Sequence, residues 1–351
     1  MDRYSKHIIL DEIGLKGQEK LQKAKVLVIG AGGLGCPILQ YLAAAGIGQI
    51  GIVDFDIVEK SNLQRQVLYG TNSLGKNKAL AAKSFLENLN DSIQITAYPI
   101  RLTHQNAVEL FNEYDVIVDG TDNFETRYLV NDASLLSNKP LVYGAIYKFE
   151  GQVSVFNYKK SASYRCLFPE KKDFVSPNCS QIGVLGVLPG IIGTMQANEV
   201  LKLILGIGKL LNNKLLLYDA LNYRTNVISF KRNDKAIQNV LVKKDNFHLK
   251  NNTINCSNIK EISATKALEL ENTQFIDVRE KDELPKIELP NLILLPLSTI
   301  LKNKHQIDTS KTLVFFCKSG IRSKKAITLL ELQEYAFSVK NGIQELKTNK
   351  Q

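Results

Sequence analysis

A strand, a glycine-rich turn, a helix, a second strand and a carboxylate follow one another in residues 25–56, K-V-L-V-I-G-A-G-G-L-G-C-P-I-L-Q-Y-L-A-A-A-G-I-G-Q-I-G-I-V-D-F-D. That order is the pattern of a nucleotide-binding βαβ unit. Gly30, Gly32 and Gly35 fit G-x-G-x-x-G directly behind the apolar run 26–29, and Asp54 closes the next apolar run where a ribose hydroxyl would sit. A Cβ at these positions would keep the backbone away from a phosphate, whose charge meets free N–H groups at a helix N-terminus. A glycine-rich turn without a ligand is the plain alternative, and the flanking strands argue against it.

At 351 residues the chain has room for about two domains. Its 44% hydrophobic content suits ordinary cores, and no apolar run approaches the roughly 20 residues of a membrane span. The acidic residues near the start do not fit a signal peptide. Five cysteines at scattered spacings make no disulfide framework, which points to a reducing, cytoplasmic setting. The net charge of +10 is spread along the chain, so an acidic protein or a triphosphate is a better partner than nucleic acid.

A basic arm, 3–10, precedes a polar helical stretch, 16–23. Beyond Asp54, Ser61, Asn62, Gln64, Arg65 and Gln66 crowd a short element beside the cleft. Arg65 suits a phosphate better than a nicotinamide, because guanidinium pairs bidentately with phosphate oxygens. Lys76 and Lys78 open the next helix; on spacing alone a helical lysine is a solvated one. Strand and helix then alternate: strand 93–98, helix 105–113, strand 116–119. Asp122 follows that last strand, where open α/β sheets hold ligands, and is a candidate to carry Mg²⁺ against phosphates or to cap the helix beginning near Asn123. Strands 141–145 and 151–156, a long irregular loop 161–180, an apolar helix 186–205 and strands 215–219 and 225–230 complete the first domain, 1–230. Residues 231–253 read as a polar linker.

With these motifs in order, residues 3–230 resemble the MoeB/ThiF/HesA adenylyltransferases, relatives of the ubiquitin-activating enzymes. The resemblance rests on R-Y-S-K-H-I-I-L, G-A-G-G-L-G-C, D-F-D-x-V-E-x-S-N-L-Q-R-Q, G-K-N-K-A, D-G-T-D-N and Y-R-C-L-F-P. It implies a Rossmann-like α/β fold with a mixed sheet, and ATP held by Gly33, Asp54, Ser61, Asn62, Leu63, Gln64, Arg65, Lys78, Asp122 and Asn123. The implied reaction is adenylation of the C-terminal glycine of a ubiquitin-like sulfur carrier protein, MoaD-like or ThiS-like. A carboxylate attacking an α-phosphate needs no strong base, so Mg²⁺, Arg65 and Lys78 would act by positioning and charge neutralisation. The resemblance also implies a homodimer in which Lys6, where relatives usually carry arginine, reaches the neighbouring subunit. Relatives usually bind zinc through two C-x-x-C pairs; here Ser163 takes the first position, Cys166 keeps the second, and K-R-N-D-K-A-I-Q-N-V after Phe230 has no cysteine. One thiol of four builds no tetrahedral site, so no zinc is expected.

Residues 254–351 read as a small α/β domain with Cys317 between a buried strand and a helix. The loop C-K-S-G-I-R, with Lys318, Arg322 and upstream Asp277 and Arg279, makes Cys317 a candidate nucleophile rather than a packed core residue. The segment resembles a rhodanese domain, which carries sulfur as a cysteine persulfide. It lacks the usual His-Ile-Pro-Gly stretch between Glu283 and Pro296, and its N-G-I faintly echoes the closing glycine motif. Cys179 matches the position where sulfur-transferring relatives keep a cysteine, and a cysteine desulfurase is the donor such a pathway implies. Two other readings stand beside this one: a nicotinamide dehydrogenase, opposed by Arg65 and Lys78, and a non-catalytic module that binds a ubiquitin-like protein.

Overall fold

The computed structural model describes residues 2–169, 183–249, 259–301, 303–330, 332 and 335–348. The chain divides into two compact units, Met1–Lys250 and Asn251–Gln351. Among the described residues no helix is long and apolar enough to cross a membrane.

The first unit begins with α1 (Ser5–Ile8), α2 (Gly14–Lys23), β1 (Lys25–Ile29), α3 (Gly35–Ala45) and β2 (Gln49–Val53). It continues through α4 (Lys78–Leu89), β3 (Gln94–Tyr98), α5 (Ala107–Asn112), β4 (Val116–Asp119), α6 (Phe124–Leu136), β5 (Leu141–Tyr147) and β6 (Glu150–Phe156). It closes with α7 (Tyr164–Leu167), α8 (Leu188–Leu205), β7 (Lys214–Asp219), β8 (Arg224–Ser229) and α9 (Asp234–Leu241). Its strands form one mixed sheet in the order β3-β2-β1-β4-β5-β6-β7-β8. The pairs from β3 to β5 are parallel and those from β5 to β8 antiparallel. The parallel strands read as continuous apolar runs because helices cover both faces; Val26, Val28, Ile117 and Val118 are all within 1% of full burial. Helix α3 buries Ile38, Leu39 and Leu42 completely, roughly 1.5–3 kcal/mol of burial each. It lies so close to α8 that a Cβ on Gly193 would be 2.4 Å from the Leu34 carbonyl oxygen.

The expected linker is in part folded. Asn233 caps α9 by accepting the Ala236 N–H at 3.1 Å, and Ile237 and Val240 are buried against Leu135 of α6. Ala236, Ile237, Val240 and Leu241 fall on one side of this short helix, so an apolar stripe at helical spacing was present in the sequence within the stretch read as linker.

The second unit contains β9 (Glu261–Ile262), α10 (Ala264–Glu269), β10 (Thr273–Asp277), β11 (Leu292–Leu294), β12 (Thr312–Phe316), α11 (Ile321–Leu329), β13 (Ala336–Val339) and α12 (Ile343–Thr348). Its sheet is all parallel, in the order β11-β10-β12-β13-β9. Central β12 buries Val314, Phe315 and Phe316 completely, sending side chains to separate apolar clusters on the two faces.

Candidate active site

The crevice of the first unit lies at the carboxyl ends of β1 and β4, neighbours whose crossovers run to opposite sides of the sheet. The chain leaves β1 through Gly30, whose φ of +89° is left-handed. A Cβ on Gly35 would lie 2.0 Å from the Gly30 carbonyl oxygen, and one on Gly120 would lie 3.1 Å from that same oxygen. The turn is therefore folded against itself and against the end of β4. The N–H groups of Gly32, Gly33 and Leu34, just ahead of α3, have no acceptor among the described residues. Donors aimed out of a helix N-terminus with no Cβ in the way fit a phosphate.

Asp54 turns its carboxylate inward, Oδ2 accepting the Ala31 N–H at 2.8 Å and Oδ1 the Asp56 N–H at 2.9 Å. Burial raises its pKa, against the two N–H donors that lower it. The carboxylate expected at a ribose thus also braces the glycine turn. Lys78 opens α4 behind Asn77, whose Oδ1 caps the helix by accepting the Leu80 N–H and whose Nδ2 donates to the carbonyl oxygens of Asp54 and Asp56. It is only 7% exposed, with Nζ 3.4 Å from Asp56 Oδ2. The solvated-lysine alternative is therefore wrong for Lys78, while Lys76 is exposed. Tyr69 Oη lies 2.8 Å from the Ala31 and 3.2 Å from the Lys78 carbonyl oxygen, tying the glycine turn to α4. Sequence reasoning missed Tyr69 and Asn77; an asparagine directly before K-A-L-A-A was a readable cap.

Arg65 is half-buried, donates from Nη1 to the Ser61 carbonyl oxygen at 3.0 Å, and lies along Gly33, where a Cβ would meet its Cγ at 3.7 Å and Pro189 of α8 at 3.1 Å. Asn62 and Glu59 cap the 3-10 turn Lys60–Asn62 reciprocally, and Ser61 Oγ reaches Glu59 at 3.3 Å. Leu63 packs on the core, and exposed Gln64 lies against Gly186. Across the crevice, buried Asp119 accepts from Thr121 N–H at 2.9 Å and Thr121 Oγ1 at 2.6 Å. Its pKa is raised by burial, with the Arg127 charge opposing. Asp122 is exposed and makes no hydrogen bond or ion pair among the described residues. The cap of α6 is Asn123, whose Oδ1 accepts the Thr126 N–H at 2.9 Å.

The N-terminal arm has partners in its own chain. Arg3 donates to the Leu89 carbonyl oxygen at 2.8 Å, and the Tyr4 ring covers Gly46, where a Cβ would come within 2.5 Å of it. These contacts lie where α3 and α4 end, beside the amino ends of β2 and β3 and so at the end of the sheet away from the crevice. Lys6 is exposed, has no partner among the described residues and is not brought to the crevice. Cys179 lies outside the described residues.

In the second unit, Cys317 follows β12 and is fully buried. Gly320, at φ +87°, caps α11 and donates its N–H to Cys317 Sγ at 3.1 Å; Ser323 Oγ is 3.8 Å from the sulfur. The N-G-I echo is a real support: a Cβ on Gly342 would stand 2.1 Å from the Cys317 carbonyl oxygen, which accepts the Ile343 N–H at 2.7 Å. The expected free cations are mostly paired. Arg322 binds Glu283 through both nitrogens, Nη2 to Oε2 at 2.7 Å, and this hydrogen bonding pulls the Glu283 carboxyl down to about 2. Arg279 is held by Asp277 and by the Pro285 carbonyl oxygen. Lys318 alone of the three is exposed, without a partner among the described residues.

Residues 4–239 match the model of the ThiF family. The chain belongs to that family. Residues 263–349 match the rhodanese-like domain. This ThiF-family chain is 51% identical to the sulfur carrier protein adenylyltransferase of Thermus thermophilus, over 67% of its own length and 89% of the relative's. It is 41% identical to the probable adenylyltransferase/sulfurtransferase MoeZ of Mycobacterium tuberculosis, covering 96% of this chain and 90% of that one. It is 38% identical to the adenylyltransferase and sulfurtransferase MOCS3 of Xenopus laevis, covering 94% and 81%. The solved structure of Escherichia coli MccB shares the fold at a TM-score of 0.59 and 24% identity, over 66% of this chain and 70% of that one.

The segment around Ser163 and Cys166 is held by a hydrogen-bonded clasp. Cys166 Sγ accepts from the N–H groups of Ser163 at 3.4 Å and Asn233 at 3.3 Å, and Arg232 donates to the carbonyl oxygens of Lys160 and Ser161. Among the described residues no group of three His, Cys, Asp or Glu side chains could hold a metal ion.

Proposed function

We propose that the chain uses ATP to adenylate the C-terminal glycine of a ubiquitin-like sulfur carrier protein and then supplies sulfur, from a persulfide on Cys317, to make a thiocarboxylate. The observation that carries the first half is the meeting of the glycine turn, Asp54, Arg65 and buried Lys78 at one end of the sheet. Loop N–H groups and Lys78 hold phosphates, Asp54 holds the ribose, and Arg65 offsets charge as the carrier carboxylate approaches the α-phosphorus. An oxygen–phosphorus bond forms, the α–β bridge breaks, and pyrophosphate leaves. Asp122, exposed beyond β4, fits Mg²⁺; the bound ion neutralises phosphate charge. Carrier-dependent exchange of labelled pyrophosphate into ATP tests this reading, and its absence with every candidate carrier would sink it. A cysteine desulfurase is the proposed donor, and the free thiols this chemistry needs fit a cytoplasmic enzyme.

We also take the enzyme to be zinc-free and dimeric. The clasp around Cys166 occupies the place of the paired cysteines, so purified protein is expected to be folded with well under one zinc per chain; one zinc per chain by elemental analysis contradicts this. The dimer reading is supported by Lys6, which is exposed and has no partner among the described residues, on an arm whose Tyr4 packs on Gly46 away from its own crevice. Lys6→Ala and Asp122→Ala protomers, each impaired alone, should recover exchange when mixed, because one hybrid site regains every group. Hybrid dimers that recover nothing refute the arm's role in trans.

A further inference from the structure

One buried polar side chain near the crevice is left unexplained by the reading above. Gln196 of α8 is fully buried. Its Nε2 donates to the carbonyl oxygen of Asp119, the last residue of β4, at 2.8 Å. Its Oε1 has no hydrogen-bond partner among the described residues, and it is pressed onto β5: a Cβ on Gly144 would come within 2.1 Å of that oxygen. A buried, unpaired amide carbonyl costs about as much as a buried hydrogen bond returns. An apolar side chain of the same length would fill the space at similar stability, so packing does not account for an amide here.

What the amide does is grip one peptide. Asp119 begins the turn that carries Asp122, and its carboxylate holds Thr121 from inside that turn. The Thr121 carbonyl oxygen accepts from Arg127 Nη2 at 3.1 Å, and the preceding residue, Gly120, donates to Ile29 O at 2.8 Å beside the glycine turn. All of these contacts come from the turn itself, from α6 or from β1. Among the described residues Gln196 is the side chain of α8 that hydrogen-bonds to it, and Pro189 of the same helix abuts Gly33. We infer that Gln196 is a positioning residue for adenylation, joining α8 to the end of β4 so that the Gly120–Asn123 turn and the glycine turn hold one fixed separation across the crevice. Gly144 is the matching part of this joint, since any larger residue would displace the amide.

This inference rests on the adenylation reading, and its test separates the two. Gln196→Met keeps length and removes the donor. The variant is expected to melt within about 4 °C of the parent, to keep its KM for ATP within about twofold, and to lose about tenfold or more in exchange turnover. Amide hydrogen exchange across residues 119–123, measured on the same proteins without substrate, is expected to quicken in the variant. A parent that catalyses no exchange defeats the adenylation reading, and the amide measurement still decides whether Gln196 holds the turn. A variant with unchanged turnover, or unchanged protection of the turn, overturns the inference. A Gln196→Met protein that fails to fold overturns it as well, because the amide would then be a structural group. Thr121→Val supplies an independent check: acting on the same turn, it should add little to the loss already caused by Gln196→Met, and full additivity speaks against a shared joint.

Discussion

Lys78→Ala is expected to lower carrier-dependent ATP–pyrophosphate exchange by about 100- to 1,000-fold, the cost of removing one preorganised charge from developing phosphate charge. The geometry keeps that loss separate from unfolding. Lys78 is buried, but its partner Asp56 has a side chain 52% exposed, so water can take over the orphaned carboxylate and the ion pair itself contributes little to stability. The backbone of residue 78 still donates to Asp56 O and α4 keeps its Asn77 cap. Arg65→Ala and Asp122→Ala should act in the same direction, Asp122→Ala with a folded-state cost near zero because that carboxylate is exposed and makes no bond among the described residues. Wild-type exchange kinetics in Asp122→Ala, at any Mg²⁺ concentration, would remove it from the site. A Lys78→Ala protein that is folded and fully active would do the same for the lysine.

The parts of this site that were legible in the sequence are those set by local backbone demands. Gly30, Gly35 and Asp54 follow a strand at fixed offsets because the turn must close on itself and on the next strand, and the structure shows both closures at the Gly30 oxygen and the Ala31 N–H. Asp122 and Asn123 were separable only in three dimensions: both follow a strand, and only the observed hydrogen bond assigns the cap to Asn123. Lys78 illustrates a different limit, since burial of a helix-opening lysine depends on Asp56, 22 residues earlier. The same is true of Glu283, whose pairing with Arg322 spans 39 residues and changes the charge presented by the Cys317 loop. The seat of the arm is hidden for a related reason: Tyr4 packs on Gly46, and nothing between them in sequence announces the contact. Strand β13 and helix α12 went unassigned because A-F-S-V and I-Q-E-L-K-T are too short for a period to register.

Cys317→Ala is expected to leave pyrophosphate exchange intact while abolishing thiocarboxylate formation from a persulfide donor or thiosulfate. The first half follows from the division of the chain into two compact units, each with its own sheet, so that a change of one sulfur atom in the second leaves the glycine turn of the first untouched. The second half follows from the loop around the sulfur. Gly320 already donates to Sγ, its left-handed φ turns the chain into α11, and Gly342 with Ile343 fixes the Cys317 carbonyl from behind. A sulfur atom added to Sγ would sit where loop N–H groups and a helix N-terminus favour an anion. Because Arg322 is tied to Glu283, that backbone cradle and exposed Lys318 carry more of the stabilisation than the sequence suggested. In the transfer we propose, the terminal sulfur of the Cys317 persulfide attacks the acyl carbon as AMP leaves, giving an acyl disulfide; a second thiol then attacks Cys317 Sγ, freeing the thiocarboxylate and leaving a disulfide that an external thiol reductant returns to two thiols. Cys179 is our candidate for the second thiol or for a relay, and Cys179→Ala should match the Cys317 phenotype only in those roles. The measurement is the carrier's intact mass after incubation with ATP and donor. Full thiocarboxylate yield from Cys317→Ala would mean that sulfur reaches the adenylate without the second unit.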